Sequence, residues 1–300
     1  MSAMLASPGG TLEVLDKFGI RARKKYGQNF LIDANIVRSI VRTAGITKED
    51  TVLEIGPGIG SMTQLLSEAA GKVICVEIDE SLRPVLAETL AGCENVTILW
   101  GDVLKTDLKA VTEEYNGGRP MKVVANLPYY VTTPILLKLL EIRGCFESIT
   151  VMVQKEVAQR ICAKAGDSEC GAISLAVQYY AEPEVAVHVP PRSFIPHPNV
   201  DSSVLHLKAH EHPPVEADEG LMFALIRAAF NQRRKTLANA AAHGFCYEGK
   251  ALSRELIAEA LEEMDLPAAV RGEALSLEQF ARLSLLIRQK WAACGTVSVP

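Results

Sequence analysis

From residue 34 to residue 164, short apolar runs of strand character alternate with stretches of helical period, and no other feature limits the possible folds as tightly. A helix is predicted over Ala34–Ala44, strands over Thr51–Ile55, Lys72–Glu77, Val96–Trp100, Lys122–Ala125 and Ile149–Val153, and helices around residues 61–70, 80–91, 133–142 and 155–164. Strands joined through helices run parallel, because a parallel pair needs a long crossover, and such a sheet is covered on both faces. After a helix expected at residues 171–181, the runs Pro183–Val189 and Ser202–Leu207 are joined by a proline-rich loop without helical period, which predicts an antiparallel pair. The pattern is that of an α/β fold with a mainly parallel seven-stranded sheet that ends in an antiparallel strand.

Residues 1–33 hold a short predicted helix, Thr11–Phe18, and the basic run Arg21-Ala-Arg-Lys-Lys25 ahead of Tyr26-Gly-Gln-Asn-Phe-Leu-Ile-Asp33. The polar stretch His210–Glu219, with Pro213 and Pro214 adjacent, separates an α/β domain over residues 34–210 from a helical domain over residues 211–300. A chain of 300 residues with 48% hydrophobic content suffices for two cores. The formal net charge of −5 gives no overall attraction to a polyanion, so a nucleic-acid surface has to be built from local clusters. Seven cysteines are scattered without a Cys-x-x-Cys pair or a histidine at ligand spacing, so idle thiols and no metal are expected. With no signal-like start and no run of 18 apolar residues, the protein is expected to be soluble and cytoplasmic, with no membrane partner.

Directly after the first strand stands Gly56-Pro-Gly58-Ile-Gly60, opening into the predicted helix that begins at Ser61. Glycines let a backbone turn sharply and approach a ligand closely. A dinucleotide fingerprint would place its third glycine at position 61, where this chain has Ser, and the shift favours an adenosyl cofactor without a pyrophosphate over NAD or FAD. Glu77, ending the second strand, is placed to accept from ribose hydroxyls, and Asp102, at the end of the third, to accept from an adenine amino group. Successive strand ends of an open α/β sheet border one crevice, so these positions converge.

The fourth strand runs into Asn126-Leu127-Pro128-Tyr129, with Thr133 and Pro134 as cap and first residue of the next helix. An exocyclic adenine amine is a poor nucleophile because its lone pair is delocalised into the ring. The Asn126 side-chain oxygen and a loop carbonyl near Leu127 or Pro128 would hold its two hydrogens and aim the lone pair at a methyl group. Pro128 fixes the loop, and Tyr129 offers a flat face to an extruded base. Alone, the four residues are equally a strand-to-helix turn; the neighbouring glycine loop favours chemistry. Phe194, in the rigid loop Pro190–Asn199, is a second candidate wall for the base, and His197 reads as a surface residue. Leu221–Leu237 has helical period, with Arg227, Asn231, Arg234 and Lys235 opposite an apolar stripe. With Arg23, Lys24 and Lys25 this predicts two basic patches for phosphate contacts.

Five motifs in order, Lys25–Asp33, Glu54–Gly58, Asn126–Tyr129, Phe194–Ser202 and Ala229–Leu237, make nearly the whole chain resemble the bacterial KsgA/RsmA family of small-subunit rRNA adenine N6,N6-dimethyltransferases. The resemblance implies a Rossmann-like class I methyltransferase domain that uses S-adenosylmethionine, followed by a helical rRNA-binding domain. It implies dimethylation of two adjacent adenosines in the loop of the last helix of 16S rRNA, within the 30S subunit during ribosome assembly; action as a monomer is expected. Asn29, Leu31, Gly56, Gly58, Glu77, Asp102 and Asn126 would then contact the cofactor, with Gln28–Leu31 as a lid over its methionine end. The chain departs from the family pattern at Tyr26, Tyr130 and Asn199, where Phe, Asn and Lys are common. Three alternatives stand beside it. Erythromycin-resistance methyltransferases of large-subunit rRNA often carry Ile and Phe in place of Leu127 and Tyr129. DNA adenine methyltransferases use an Asn-or-Asp-Pro-Pro-Tyr loop. A ribosome-assembly checkpoint would make catalysis secondary.

Overall fold

The computed structural model describes residues 5–23 and 26–295. The chain opens with α1 (Pro8–Lys17), which starts ahead of the expected Thr11 because Ser7 accepts from the Gly10 amide and Pro8 suits the first turn. In order follow β1 (Phe30–Leu31), α2 (Ala34–Thr43), β2 (Thr51–Ile55), α3 (Ser61–Ala69), β3 (Lys72–Glu77), α4 (Arg83–Thr89), β4 (Val96–Trp100), α5 (Leu108–Asn116), β5 (Met121–Asn126), α6 (Thr132–Glu141) and β6 (Phe146–Gln154). Then come α7 (Lys155–Cys162), α8 (Ala172–Tyr180), β7 (Ala181–Val189), β8 (Phe194–Ile195), β9 (Ser202–Ala209), α9 (Glu219–Asn231), α10 (Leu237–Gly244), α11 (Arg254–Glu262) and α12 (Leu277–Gly295).

Seven strands form one sheet in the order β4-β3-β2-β5-β6-β9-β7. Neighbours from β4 through β6 pair in parallel, and β9 runs antiparallel to both β6 and β7. The chain moves outward from β2 through β3 and β4, then returns to β5 on the other side of β2. The order therefore reverses between β2 and β5, where open α/β sheets leave a ligand crevice outside the strand C-termini. β2 is buried along its whole length, as a central strand covered on both faces should be. The core beneath it gathers Val37, Ile40, Val52, Leu66, Val73 and Val124.

Three elements escaped the sequence pattern. In α5 the buried face is only Leu108, Val111, Thr112 and Asn116, too sparse a stripe to stand out; Asp107 starts the helix by accepting from the Ala110 amide and left-handed Gly117 ends it. The strands β1 and β8 have two residues each, too few for periodicity, and pair antiparallel as Phe30 with Ile195 and Leu31 with Phe194.

The chain divides into two compact units, one running to Ala158 and resuming at Ala181–Glu211, the other made of Gln159–Tyr180 and the chain from His212 onward. The single cut expected after residue 210 thus leaves out a segment that packs with the helices. Tyr179 and Tyr180 set their rings 5.3 and 5.7 Å from that of Phe223, and the Tyr180 hydroxyl donates to Glu219 at 2.7 Å. Helix α9 stops at Asn231 instead of running to Leu237. Thr236 takes an extended backbone and caps α10, so Arg234 and Lys235 lie in the intervening turn and not on the face of α9. Among the described residues no helix is long and apolar enough to cross a membrane.

Candidate cofactor and base site

At the end of β2 the chain turns with positive φ at Gly56, Gly58 and Gly60 (71°, 59° and 91°), a conformation that side chains disfavour. The loop delivers the Gly58 amide to Glu77 Oε2 at 3.2 Å, while the Asp79 amide donates to Oε1 at 2.7 Å. Glu77 ends β3 at 4% exposure, and burial pushes its carboxyl above the usual carboxylate range. At the end of β4, Asp102 Oδ1 accepts from the Leu104 amide at 2.9 Å.

Asn126 ends β5, across the switch point from the glycine loop. Its Nδ2 donates to the Asn29 carbonyl oxygen at 2.9 Å. A carbonyl only accepts, so the carboxamide nitrogen must face it and Oδ1 is left as the acceptor of that side chain. The Leu127 amide donates to the Met152 carbonyl at 3.3 Å, tying the following loop to β6. Tyr129 is half-buried with its hydroxyl 2.6 Å from Ser202 Oγ at the start of β9, whereas Tyr130 is 60% exposed.

The segment around β1 lies against both loops. A Cβ at Gly27, whose φ is +57°, would meet Pro128 Cβ and the Tyr130 ring at 3.2 Å, and one at Gly58 would meet the Phe30 ring at 3.5 Å. Between these elements is a cavity of about 320 Å³ lined by Asn29, Leu31, Gly56, Gly58, Glu77, Asp102 and Asn126, together with Leu127, Pro128 and Tyr129. All the positions expected to touch cofactor are therefore on one wall system. Phe194 is not. Its pairing with Leu31 turns the ring into the core beside Val37, Met152 and Val189, and it is 0% exposed, so it is a packing residue and not a wall of the base site.

Of the expected phosphate contacts, Lys24 and Lys25 lie outside the described residues. Arg227, Arg234 and Lys235 are exposed, and Arg23 donates to Asp79 Oδ1 at 3.1 Å. Asp79 and Gln28, which meet in that network, carried no sequence signal beyond a carboxylate following a strand, which ordinarily reads as a helix cap. Asp79 does serve as one, accepting from the Ser81 amide.

Glu54, under the glycine loop and on the cavity wall, has no role assigned by its place in a motif, because a strand interior predicts nothing about a lone carboxylate. It is 0% exposed, its Oε1 has no hydrogen-bond partner, and burial pushes its carboxyl up to about 7. A carboxyl raised from 4.5 keeps its proton in the folded state while the unfolded chain loses it, so stability falls as pH rises from 4.5 through about 7. The loss by pH 8 is about 3 kcal/mol. Thermal melts at pH 5 and pH 8 should show this fall in the parent protein and a clearly smaller one in Glu54→Gln, where the raised Glu77 carboxyl still contributes; an equal slope in both proteins would contradict it.

The family model described as ribosomal RNA adenine dimethylase matches residues 19–264. The chain belongs to that family. It is 52% identical over 290 residues to a Lachnoclostridium phytofermentans protein named ribosomal RNA small subunit methyltransferase A, covering 96% of this chain and 99% of the relative. In three dimensions it is similar to a dimethyladenosine transferase from Plasmodium falciparum, with a TM-score of 0.72 and 26% identity over 87% of this chain and 98% of the other. It is also similar to the 23S rRNA methyltransferase ErmE, with a TM-score of 0.65 and 25% identity over 87% of this chain and 100% of the other. Membership makes S-adenosylmethionine the methyl donor and rRNA the substrate. The site's chemistry fits that donor: a buried carboxylate at the end of β3 and a half-buried one past the end of β4, a loop whose glycines leave room for close approach, and a volume within the roughly 300–1,000 Å³ of small-molecule sites.

Proposed function

We propose that this protein transfers methyl groups from S-adenosylmethionine to N6 of two adjacent adenosines in the loop of the 3′-terminal hairpin of 16S rRNA, two on each, within the 30S subunit during its assembly. It acts as a monomer in the cytoplasm. The observation that carries the reading is the meeting of Asn126, with its carboxamide oxygen left as acceptor, and the glycine loop with Glu77 and Asp102 on a single cavity in a chain of the dimethylase family. Glu77 would accept from the ribose hydroxyls, Asp102 from the adenine amine of the cofactor, and Asn29 and Leu31 would cover its methionine end. When bound, the cofactor supplies an electrophilic methyl group on a sulfonium. Asn126 Oδ1 and a carbonyl of the Leu127–Pro128 stretch would accept the two N6 hydrogens and turn the lone pair toward that methyl. Held so, the N6 nitrogen would take up the methyl group, the electron pair of the broken bond staying with the donor's sulfur, and would give up one proton to solvent. Tyr129 would stack on the target base. Lys24, Lys25, Arg227, Arg234 and Lys235 would contact phosphates, each lowering the salt dependence of binding when removed.

Assignment to the small subunit rests on the 52% identity to a relative named for it, against 25% to the 23S enzyme. Small subunits that lack the modification, large subunits and duplex DNA, offered together with labelled S-adenosylmethionine, should distribute label into the small subunits by at least about two orders of magnitude over either competitor, the scale of one missing set of recognition contacts. Preferential labelling of large subunits or DNA would overturn the substrate.

A further inference from the structure

Arg23, the described member of the basic run Arg23–Lys25, is already occupied. Its Nη1 donates to Asp79 Oδ1 at 3.1 Å, and Gln28 Nε2 donates to Asp79 Oδ2 at 3.0 Å. The Gln28 side-chain oxygen in turn accepts from the Arg23 amide at 2.9 Å, so two residues of the arm and one carboxylate close a ring of hydrogen bonds. The two charges differ in access. The Asp79 side chain is 3% exposed and that of Arg23 45% exposed, so the acceptor is sunk in the protein while the donor can be reached from solvent. Burial by itself would raise the Asp79 carboxyl. Hydrogen bonds from Ser81 and Gln28 and the charge of Arg23 outweigh it and hold the group below the usual carboxylate range.

This ring is continuous with the site. The Asp79 amide holds Glu77 Oε1, whose partner oxygen accepts from Gly58 of the glycine loop. One residue beyond Gln28, the Asn29 carbonyl orients Asn126. The stretch from Gln28 to Leu31 is thus fixed at its start by Asp79, in its middle by Asn126 and at its end by the β1–β8 pairing. Of these three fastenings, only the first involves a charged group open to solvent.

We propose that Arg23 and Gln28 on Asp79 form a latch that holds this segment closed over the cofactor, and that an RNA phosphate competing for Arg23 releases it. The inference rests on the proposed function and supplies a need it creates. Two methyl groups on each of two adenosines consume 2 × 2 = 4 cofactors, so spent cofactor has to leave while RNA is at hand. A guanidinium shared between an internal carboxylate and an external phosphate, both strong charge-assisted acceptors, links the two events. The linkage is reciprocal: RNA loosens the cofactor, and the cofactor, by favouring the closed segment, lowers the availability of Arg23 to RNA. Asp79 acts through Gln28 and Glu77 and is a positioning residue.

The test is the rate at which labelled S-adenosylhomocysteine leaves the full-length protein when chased with excess unlabelled S-adenosylhomocysteine, with and without a short RNA hairpin of the 16S terminal-loop sequence. RNA should speed release from the parent protein about tenfold, a change equal to about 1.4 kcal/mol of retention. Arg23→Gln should release about tenfold faster without RNA and respond to RNA by less than about twofold. Asp79→Asn should behave alike. Because Asp79 also caps the turn at Ser81, Gln28→Leu opens the same ring with the carboxylate intact, and its melting midpoint shows whether the fold is kept. Parent-like release from Arg23→Gln that RNA still accelerates would overturn the latch, leaving Arg23 a simple phosphate contact. Release is measured without turnover. Protein that shows the RNA-dependent release but never methylates RNA would therefore refute the proposed function and leave the latch standing.

Discussion

Asn126→Ala is expected to lower the rate of methyl transfer by about two to three orders of magnitude while weakening S-adenosylhomocysteine binding by less than about tenfold. The reason is geometric. The Asn126 amide nitrogen is committed to the Asn29 carbonyl at 2.9 Å, so its oxygen is the one side-chain acceptor that the end of β5 brings to the switch point. An adenine amine lies flat with its ring until two acceptors pull its hydrogens out of that alignment, and removing one preorganised partner of a developing charge typically costs about 3–4 kcal/mol. Alanine also frees the Asn29 carbonyl, which is why a modest loss of cofactor affinity accompanies the larger kinetic one. Single-turnover rates with saturating RNA separate the two effects. Unchanged single-turnover rates in the variant would remove Asn126 from the chemistry.

Glu77→Ala should produce the largest loss in cofactor affinity, a rise in the dissociation constant of at least about a hundredfold by calorimetric titration with S-adenosylhomocysteine. Two hydrogen bonds from ribose hydroxyls to a buried carboxylate contribute about 1.5–3 kcal/mol each. The change also strands the amides of Gly58 and Asp79, which now donate to the two carboxylate oxygens at 3.2 and 2.7 Å, so the glycine loop loses its anchor together with the ligand. Glu77→Gln keeps one acceptor oxygen and should fall between the parent and the alanine variant. An alanine variant that binds within about threefold of the parent would show that the ribose is held elsewhere.

The frame of the site was legible because it depends on periodicity and on residues with special backbone needs. The order of β and α runs placed the ends of β2, β3, β4 and β5 together, and the three glycines marked the turn at the first of them. Contacts made by main-chain atoms or by residues with an ordinary second use were not legible. The carbonyl of Asn29 orients Asn126 without any side-chain signal, and Asp79 looks like a cap because it is one. Phe194 misled for a related reason: proline flanks argue against a mid-sheet strand, but the two-residue pairing of β8 with β1 needs no room in the main sheet and buries the ring. The helical pattern through Leu237 continued across a break because Thr236, a poor interior residue, is a good cap, and only the cap geometry ends α9 where it does.

The measurement that bears most directly on the central claim is mass spectrometry of nucleosides from small-subunit rRNA after incubation with the protein and methyl-deuterated S-adenosylmethionine. Methyl transfer to an adenine amine presented by Asn126 predicts N6,N6-dimethyladenosine carrying two deuterated methyl groups at two neighbouring positions of the 3′-terminal loop. Label absent from N6, or confined to a ring nitrogen, a ribose hydroxyl or another nucleoside, would contradict it.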